Sequence, residues 1–178
     1  HATGAMGPPS RFGASEYYME RGTATHLCTQ YWEEGRLDDE GLDRDWPEVR
    51  PFLESWQAFV SKRGWISDLR EYPTASRAFS FGTMPDRAGH FAFDSRPWIL
   101  DIKTGVKKAW HHLQTAGCAI ALGEELGISP LTFQRGAVYL KRDGAVAKLE
   151  PHTDPTDIEQ FRSRARVVAW NRLNAPMD

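Results

Sequence analysis

Cysteine is scarce in this sequence. Only Cys28 and Cys118 occur among its 178 residues. This number excludes a framework of several disulfides, a four-cysteine zinc site and a four-cysteine iron–sulfur cluster. We therefore expect no iron–sulfur cluster, and a reducing cytoplasmic compartment is the setting that such cysteine usage favours.

Long apolar runs and an excess of positive charge are also lacking. The longest apolar run, around 118–122, is far shorter than the roughly 20 residues that span a membrane, so we expect no membrane partner. The formal net charge is −2, which argues against a protein that holds DNA by overall charge. A net charge near zero is still compatible with a locally basic cleft. A metal-dependent enzyme also needs acidic residues in its active-site cleft.

The chain length suits one folded domain. Residues 1–7 resemble the remnant of an expression tag, and they have neither the basic start nor the apolar segment of a signal peptide. We therefore expect a single domain over residues 8–178, with a core drawn from the 40% of residues that are hydrophobic.

Helical periodicity recurs in four segments of the chain. Glycine follows three of them closely, as is common at helix ends. Asp154, followed by Pro155, is expected to cap the last helix. The acidic stretch 37–46 is predicted to be a loop. The predicted helices cover 14–34, 47–62, 108–126 and the residues after Asp154.

Alternation of apolar and polar residues predicts six strands. Residues 95–97 are expected to form a hairpin turn before the fourth strand, and Asp143-Gly144 a second one before the sixth. The order of elements predicts an α/β fold with a mixed central β-sheet. The predicted strands cover 65–72, 76–81, 90–94, 98–103, 133–141 and 145–150.

The segment 99–103 carries the most informative side chains. In a strand, residues i and i+2 share a face, so Asp101 and Lys103 point the same way. Asp86 lies fifteen residues before Asp101, and an intervening hairpin would bring the two carboxylates together. With the backbone carbonyl of Ile102, they would offer the hard oxygen ligands that Mg²⁺ or Mn²⁺ prefers.

An Asp-x-Lys tripeptide is weak evidence by itself. It occurs often by chance, and most such pairs lie on solvated strand faces. An acid and a lysine on a buried strand, in contrast, are costly unless they are paired or used. The surrounding sequence is needed to choose between the two interpretations.

Four segments resemble, in order, motifs of the PD-(D/E)XK nuclease superfamily, in its RecB-like and phage exonuclease-like branch. The resemblance extends over about ninety residues and implies a restriction-endonuclease-like core, a mixed central β-sheet flanked by helices. The segments are 21–26 (RGTATH), 82–87 (GTMPDR), 101–105 (DIKTG) and 112–117 (HLQTAG).

The resemblance implies a role for each motif residue. Asp86 and Asp101 would act as catalytic metal ligands, together with the Ile102 carbonyl. Lys103 would be the catalytic lysine. Gln114 would orient that lysine or contact DNA.

Two further metal ligands are implied, and the basic motif residues become candidates for DNA contacts. His26 matches the histidine of this branch. Glu71 falls where a further acidic residue often occurs, although a solvent-facing strand end is an equally good interpretation. Lys107, Lys108 and His112, which follow the core motif 101–105, are also compatible with an exposed helix start. The candidate DNA-binding residues are Arg21, Lys107, Lys108, His112 and Gln114.

The sequence also departs from the family pattern. Met84-Pro85 separates Thr83 from Asp86 where one residue is common, which suggests a bulge or a shifted turn. Cys118 stands where a tyrosine is usual, so that group is missing unless Tyr139 replaces it. No Gly-rich phosphate-binding loop of a helicase motor is present.

The expected function is hydrolysis of DNA phosphodiester bonds with Mg²⁺ or Mn²⁺, by analogy as an exonuclease. Two alternatives stay open: a nucleic-acid-binding module of the same fold without turnover, and an RNA-specific or structure-specific endonuclease. The resemblance also implies an intracellular enzyme of the phage type, acting within a host cell.

Overall fold

The computed structural model describes residues 14–174. The predicted tag remnant lies outside them. The chain divides into two compact units, and the prediction of a single domain over 8–178 stays a prediction. Within the described residues, the first unit comprises 14–65, 102–106 and 139–148, and the second comprises 66–101, 107–138 and 149–174.

The first unit is built on helices that enclose a small apolar core. Val49 and Leu53 are fully buried there, against Ala24 and Cys28 of the first helix. Gly64, with φ +63°, ends the third helix as expected. The helices are α1 (Ala14–Glu33), α2 (Asp39–Asp45) and α3 (Arg50–Arg63), with a short 3-10 turn at Pro47–Val49.

Helix α2 corrects the prediction of a loop over 37–46. Its acidic sequence has little apolar periodicity, but Asp38 caps it by accepting a 2.9 Å hydrogen bond from the Gly41 N–H. Asp39 and Glu40 in the first turn suit the positive end of the helix dipole. The Asp38 cap and the favourable helix-dipole interactions therefore stabilise α2 although its sequence has little apolar periodicity.

Ser55 of α3 secures the hairpin segment that belongs to the same unit. Its hydroxyl is buried, donates to the Ala145 carbonyl over 2.7 Å and accepts from the Lys141 N–H over 3.0 Å. One side chain thus satisfies two backbone groups of the segment 139–148.

The second unit contains most of the central sheet. Five strands are ordered β1-β4-β5-β6-β7, while β2 and β3 form a separate antiparallel pair. The predicted α/β class, with a mixed central sheet and flanking helices, is confirmed. The strands are β1 (Trp65–Arg70), β2 (Thr74–Ser76), β3 (Phe81–Thr83), β4 (Arg87–Phe91), β5 (Asp94–Lys103), β6 (Gln134–Tyr139) and β7 (Lys148–Pro151).

The predicted strand over 76–81 is wrong. Residues 77–80 form the turn between β2 and β3, and Ser80 has a left-handed φ of +54°. The Glu124 carboxylate accepts hydrogen bonds from two backbone N–H groups of this turn, at 2.9 and 3.2 Å. A side chain far along the sequence thus holds the turn in place.

The turn before β5 is also shifted from its predicted position at 95–97. It occupies Ala92-Phe93, and β5 begins at Asp94. The Arg96 side chain and its N–H bind the Asp94 carboxylate and lower the pKa of Asp94 to about 2. This local contact keeps the predicted turn residues within the strand.

Helices α4 (His111–Leu126) and α5 (Thr156–Asn174) pack in the core of the second unit. Helix α4 begins three residues later than predicted and ends at Gly127. Asp154 caps α5, since its Oδ1 accepts from the Thr156 N–H over 2.9 Å. Gly117 faces the Phe161 ring so closely that a Cβ would lie 2.7 Å from two ring carbons.

Candidate active site

The antiparallel pair β4–β5 brings the two predicted aspartates to adjoining positions. Arg87 lies opposite Leu100, so continuing the register by one residue sets Asp86 beside Asp101. Both aspartates are buried, at 6% and 3% exposure. Burying a carboxylate costs free energy unless a cation or several donors compensate. The two carboxylates at this end of the strand pair therefore need a cation or several hydrogen-bond donors beside them.

Glu71 lies at the same end of the sheet, directly after β1. Its N–H donates to the Asp86 carbonyl over 3.0 Å, and the two carboxylates each have an oxygen within 4.8 Å of the other. Glu71 has a φ of +42°, which is uncommon for a residue with a Cβ. The geometry favours the acidic-site interpretation over a solvent-facing strand end.

Arg87 is a member of this cluster to which sequence reasoning gave no role. Its side chain is completely buried, and its Nη1 lies 3.2 Å from Glu71 Oε1 and 2.6 Å from the Asp86 carbonyl oxygen. Its sequence signal was its place as the last residue of the motif 82–87, directly after Asp86. That position does not distinguish a buried arginine from a solvated one.

The donor set fits a hard divalent cation. The side chains of Glu71, Asp86 and Asp101 bring three negative charges, and Arg87 brings one positive charge, so negative charge is in excess. Carboxylate oxygens are the ligands that Mg²⁺ and Mn²⁺ prefer, whereas zinc favours sets rich in histidine and cysteine. The predicted cofactors are therefore compatible with the residues present.

In the first unit, His26 of α1 reaches the strand residue that follows Asp101. Its Nε2 donates a hydrogen bond to the Ile102 carbonyl oxygen over 3.1 Å, and both groups are predicted metal ligands. In this contact Nε2 carries a proton, which it would have to lose before it could bind a metal ion.

Lys103 ends β5 two residues after Asp101. Strand alternation sets the two side chains on one face, as predicted. Lys103 is only partly buried, and its carbonyl accepts a 2.8 Å hydrogen bond from the Leu140 N–H. The lysine backbone is therefore held in regular strand geometry while its side chain keeps access to solvent.

The predicted DNA contacts are found in different surroundings. The Arg21 guanidinium packs over the rings of Tyr18 and Phe52, 5.1 Å from each centroid, and the residue is 7% exposed. Lys107 forms an ion pair with Glu150. These contacts give both cations a partner within their own unit, and their binding of DNA stays a prediction.

The other three predicted DNA contacts lie at or just before α4. Lys108 is exposed. The Nε2 of His112 is 3.6 Å from Asp157 Oδ1, which turns the imidazole towards α5. Gln114 is half-buried and lines a cavity of about 390 Å³ in the second unit. Gln114 is thus the best placed of the three for contact with a ligand.

A buried polar network beside α5 was missed from the sequence. Arg135 of β6 donates to Asp157 Oδ2 over 3.0 Å, and both side chains are at most 5% exposed. His152 Nδ1 lies 2.9 Å from Thr115 Oγ1. Burial, and then the nearby charge of Arg135, lowers the pKa of His152 to about 4. The network joins α4, β6 and α5 and has a structural role.

The comparisons with known proteins leave the family of this chain open. No protein-family model matches the sequence, and no curated protein matches it either. Among the described residues 14–174, no helix has the length and apolar character needed to cross a membrane.

Proposed function

We propose that this chain is a divalent-metal-dependent nuclease that hydrolyses phosphodiester bonds in DNA. The observation that carries the proposal is the convergence of Glu71, Asp86 and Asp101 at one end of the sheet, with Lys103 two residues further along β5. The resemblance of four sequence motifs supports the same activity. Exonuclease action is the preferred form, by analogy with the branch that carries these motifs.

The proposed cofactor is Mg²⁺ or Mn²⁺. The carboxylates of Glu71, Asp86 and Asp101 would hold it, and the motif resemblance adds the Ile102 carbonyl and His26 as further ligands. A bound ion of this kind polarises a phosphodiester and lowers the pKa of a nearby water.

The protein groups around the carboxylates restrict their movement. Arg87 binds Glu71 and the Asp86 carbonyl at once, and the β4–β5 register fixes Asp101 relative to both. Little rearrangement is then needed when a substrate binds, which lowers the free-energy barrier of the reaction.

Lys103 is the proposed group that acts on the water and on the developing charge. It follows Asp101 by two residues on β5, and residues two apart on a strand share a face. A lysine there orients the attacking water by a hydrogen bond, and its positive charge stabilises the oxygens of the phosphorane-like transition state. Removal of one such group from an active site lowers the rate by about 100-fold or more.

Cleavage assays test the proposal directly. End-labelled linear duplex, supercoiled plasmid and RNA are incubated with Mg²⁺, Mn²⁺ or chelator. Lys103→Ala is expected to cut linear duplex at least about 100-fold more slowly than the parent. Lys62→Ala removes an exposed lysine of α3 and serves as the control that retains activity.

Metal binding is measured separately by titrating Mn²⁺ and following the paramagnetic signal of the free ion. Asp101→Asn is expected to weaken Mn²⁺ binding, while Lys103→Ala is expected to retain it. Equal cleavage by Lys103→Ala and the parent would show that the site is wrong. A parent that binds DNA but cuts nothing is a binding module. Cutting of closed circles replaces the exonuclease with an endonuclease, and preferential cutting of RNA replaces DNA as the substrate.

A further inference from the structure

A cavity of about 390 Å³ opens in the second unit between the β2–β3 hairpin, α4 and α5. Its volume is near the lower end of the range for ligand pockets, roughly 300–1,000 Å³. Its apolar lining includes four aromatic rings, and polar side chains occupy only part of the rim. The aromatic lining residues are Phe79, Phe81, Trp110 and Phe161.

Part of the aromatic lining is rigid and part is open to solvent. Phe81 and Phe161 pack edge to face, with ring centroids 4.9 Å apart and an interplanar angle of 63°. Trp110, just before α4, is 54% exposed although it borders an apolar cavity. An indole left exposed at the mouth of such a cavity is suited to stack against a flat ligand.

The rim of the cavity is strongly cationic. From residue 160 to residue 174, α5 contains four arginines and no acidic residue; Arg162 is paired with Glu159, just before this segment. Arg164 and Arg172 line the cavity, while the guanidinium groups of Arg162 and Arg166 lie over the Phe79 ring, at 5.7 and 5.4 Å. An apolar floor with this rim matches a ligand that combines a flat apolar face with negative charge.

We propose that this cavity holds an unpaired base of a DNA strand, with the α5 arginines binding the phosphates beside it. Aromatic platforms flanked by cationic grooves are the general means of binding single-stranded nucleic acid. Gln114, which the motif resemblance makes a candidate DNA contact, lines the same cavity, and its amide can donate to and accept from a base edge. The proposal rests on the proposed function for the identity of its ligand as DNA.

A base within a duplex cannot enter the cavity, because it is stacked and both of its faces are covered by neighbouring bases. The base that enters must therefore come from a single-stranded end or an opened pair. In terms of the proposed nuclease, the cavity would hold one strand of a separated or frayed end while the other parts of the chain act on phosphodiester bonds.

Binding of three probes to the full chain in chelator tests the proposal without any cleavage. The probes are a short oligothymidylate, an abasic strand of equal length and charge, and a blunt duplex. The oligothymidylate is expected to bind more tightly than the abasic strand, because only it provides a face to stack. Trp110→Ala should weaken oligothymidylate binding by roughly 5- to 150-fold and abasic binding much less.

Matched variants control for surface effects. Trp170→Ala removes another exposed tryptophan, on α5 but away from the cavity lining, and should leave binding unchanged. Val168→Asp places a negative charge in the lining and should weaken oligothymidylate binding. Val167→Asp makes the same change at the neighbouring exposed position outside the lining and should have a smaller effect.

Equal affinity for the oligothymidylate and the abasic strand would overturn the proposal. Equal oligothymidylate binding by Trp110→Ala and the parent, or by Val168→Asp and Val167→Asp, would do the same. A Trp110-dependent dimer in sedimentation without DNA would assign the cavity to a second copy of the chain instead. A parent that cuts no DNA but binds bases through Trp110 refutes the nuclease alone, while a parent that cuts without base-dependent binding refutes the cavity proposal alone.

Discussion

The ion pair between Arg135 and Asp157 gives the most direct test of how this fold is stabilised. Both side chains are at most 5% exposed. Asp157→Asn keeps the shape of the side chain and removes its charge. The variant leaves a buried guanidinium without its carboxylate, although the carbonyls of His112 and Asp154 still accept from it at 3.0 and 2.9 Å.

The expected loss follows from this geometry. Removing one partner of a buried ion pair lowers the free energy of unfolding by about 3–5 kcal/mol. Because Arg135 keeps its two carbonyl partners, we expect Asp157→Asn to lower the free energy of unfolding by about 3 kcal/mol, the lower end of that range. The position of Asp157 in the first turn of α5 adds a helix-dipole contribution of about 0.3–1 kcal/mol.

Chemical denaturation measures the effect against a control on the same helix. In the Glu159–Arg162 pair the glutamate side chain is 65% exposed, so Glu159→Gln is expected to cost at most about 1 kcal/mol. Unfolding is followed by the fluorescence of the seven tryptophans and by far-UV circular dichroism, whose coincidence supports a two-state analysis. If Asp157→Asn loses no more stability than Glu159→Gln, the buried pair does not stabilise the fold as argued.

Two further predictions concern His152 and Gly117, which both lie in the second unit. The pKa of His152 is lowered from 6.5 to about 4 in the folded chain, so the unfolded chain binds more protons between these values. Stability should then fall by about 1–2 kcal/mol as the pH drops from 6.5 to 4, after allowance for solvent screening, and a His152→Gln variant with the same pH slope would contradict this. Gly117→Ala should lower the free energy of unfolding by up to about 2 kcal/mol, because crowding against Phe161 outweighs the gain in helix propensity. Gly22→Ala in α1, where a Cβ meets nothing within 4 Å, should instead be stabilising, and a gain at both positions in denaturation would refute the packing argument.

Local sequence determines the parts of the fold that were predicted well. Glycines at positions 64 and 127 end helices by adopting a left-handed backbone, and Asp154 caps α5 through its immediate neighbours. The turn at 77–80 was missed for the opposite reason. Its alternating Phe79 and Phe81 indicate a strand, while Glu124, which holds the turn, lies more than forty residues away.

The candidate site likewise combines features that local sequence predicts with features that depend on distant contacts. Strand periodicity alone relates Asp101 to Lys103, so the sequence is enough to predict that the two side chains share a face. Glu71 and Arg87 depend on the pairing between separate strands and on an unusual backbone angle. Neither is visible in the order of residues, which is why Glu71 stayed ambiguous and Arg87 had no assigned role.

The position of Arg87 has a consequence for the order in which this protein matures. A guanidinium supplied by the chain itself accompanies the buried acids, so on the proposed function the sheet would close without waiting for a metal ion. In small zinc domains, by contrast, the ion provides the free energy of folding and a chelator unfolds the chain. For the proposed nuclease, a chelator would therefore remove the activity and leave the fold intact, and added metal would restore the activity without refolding.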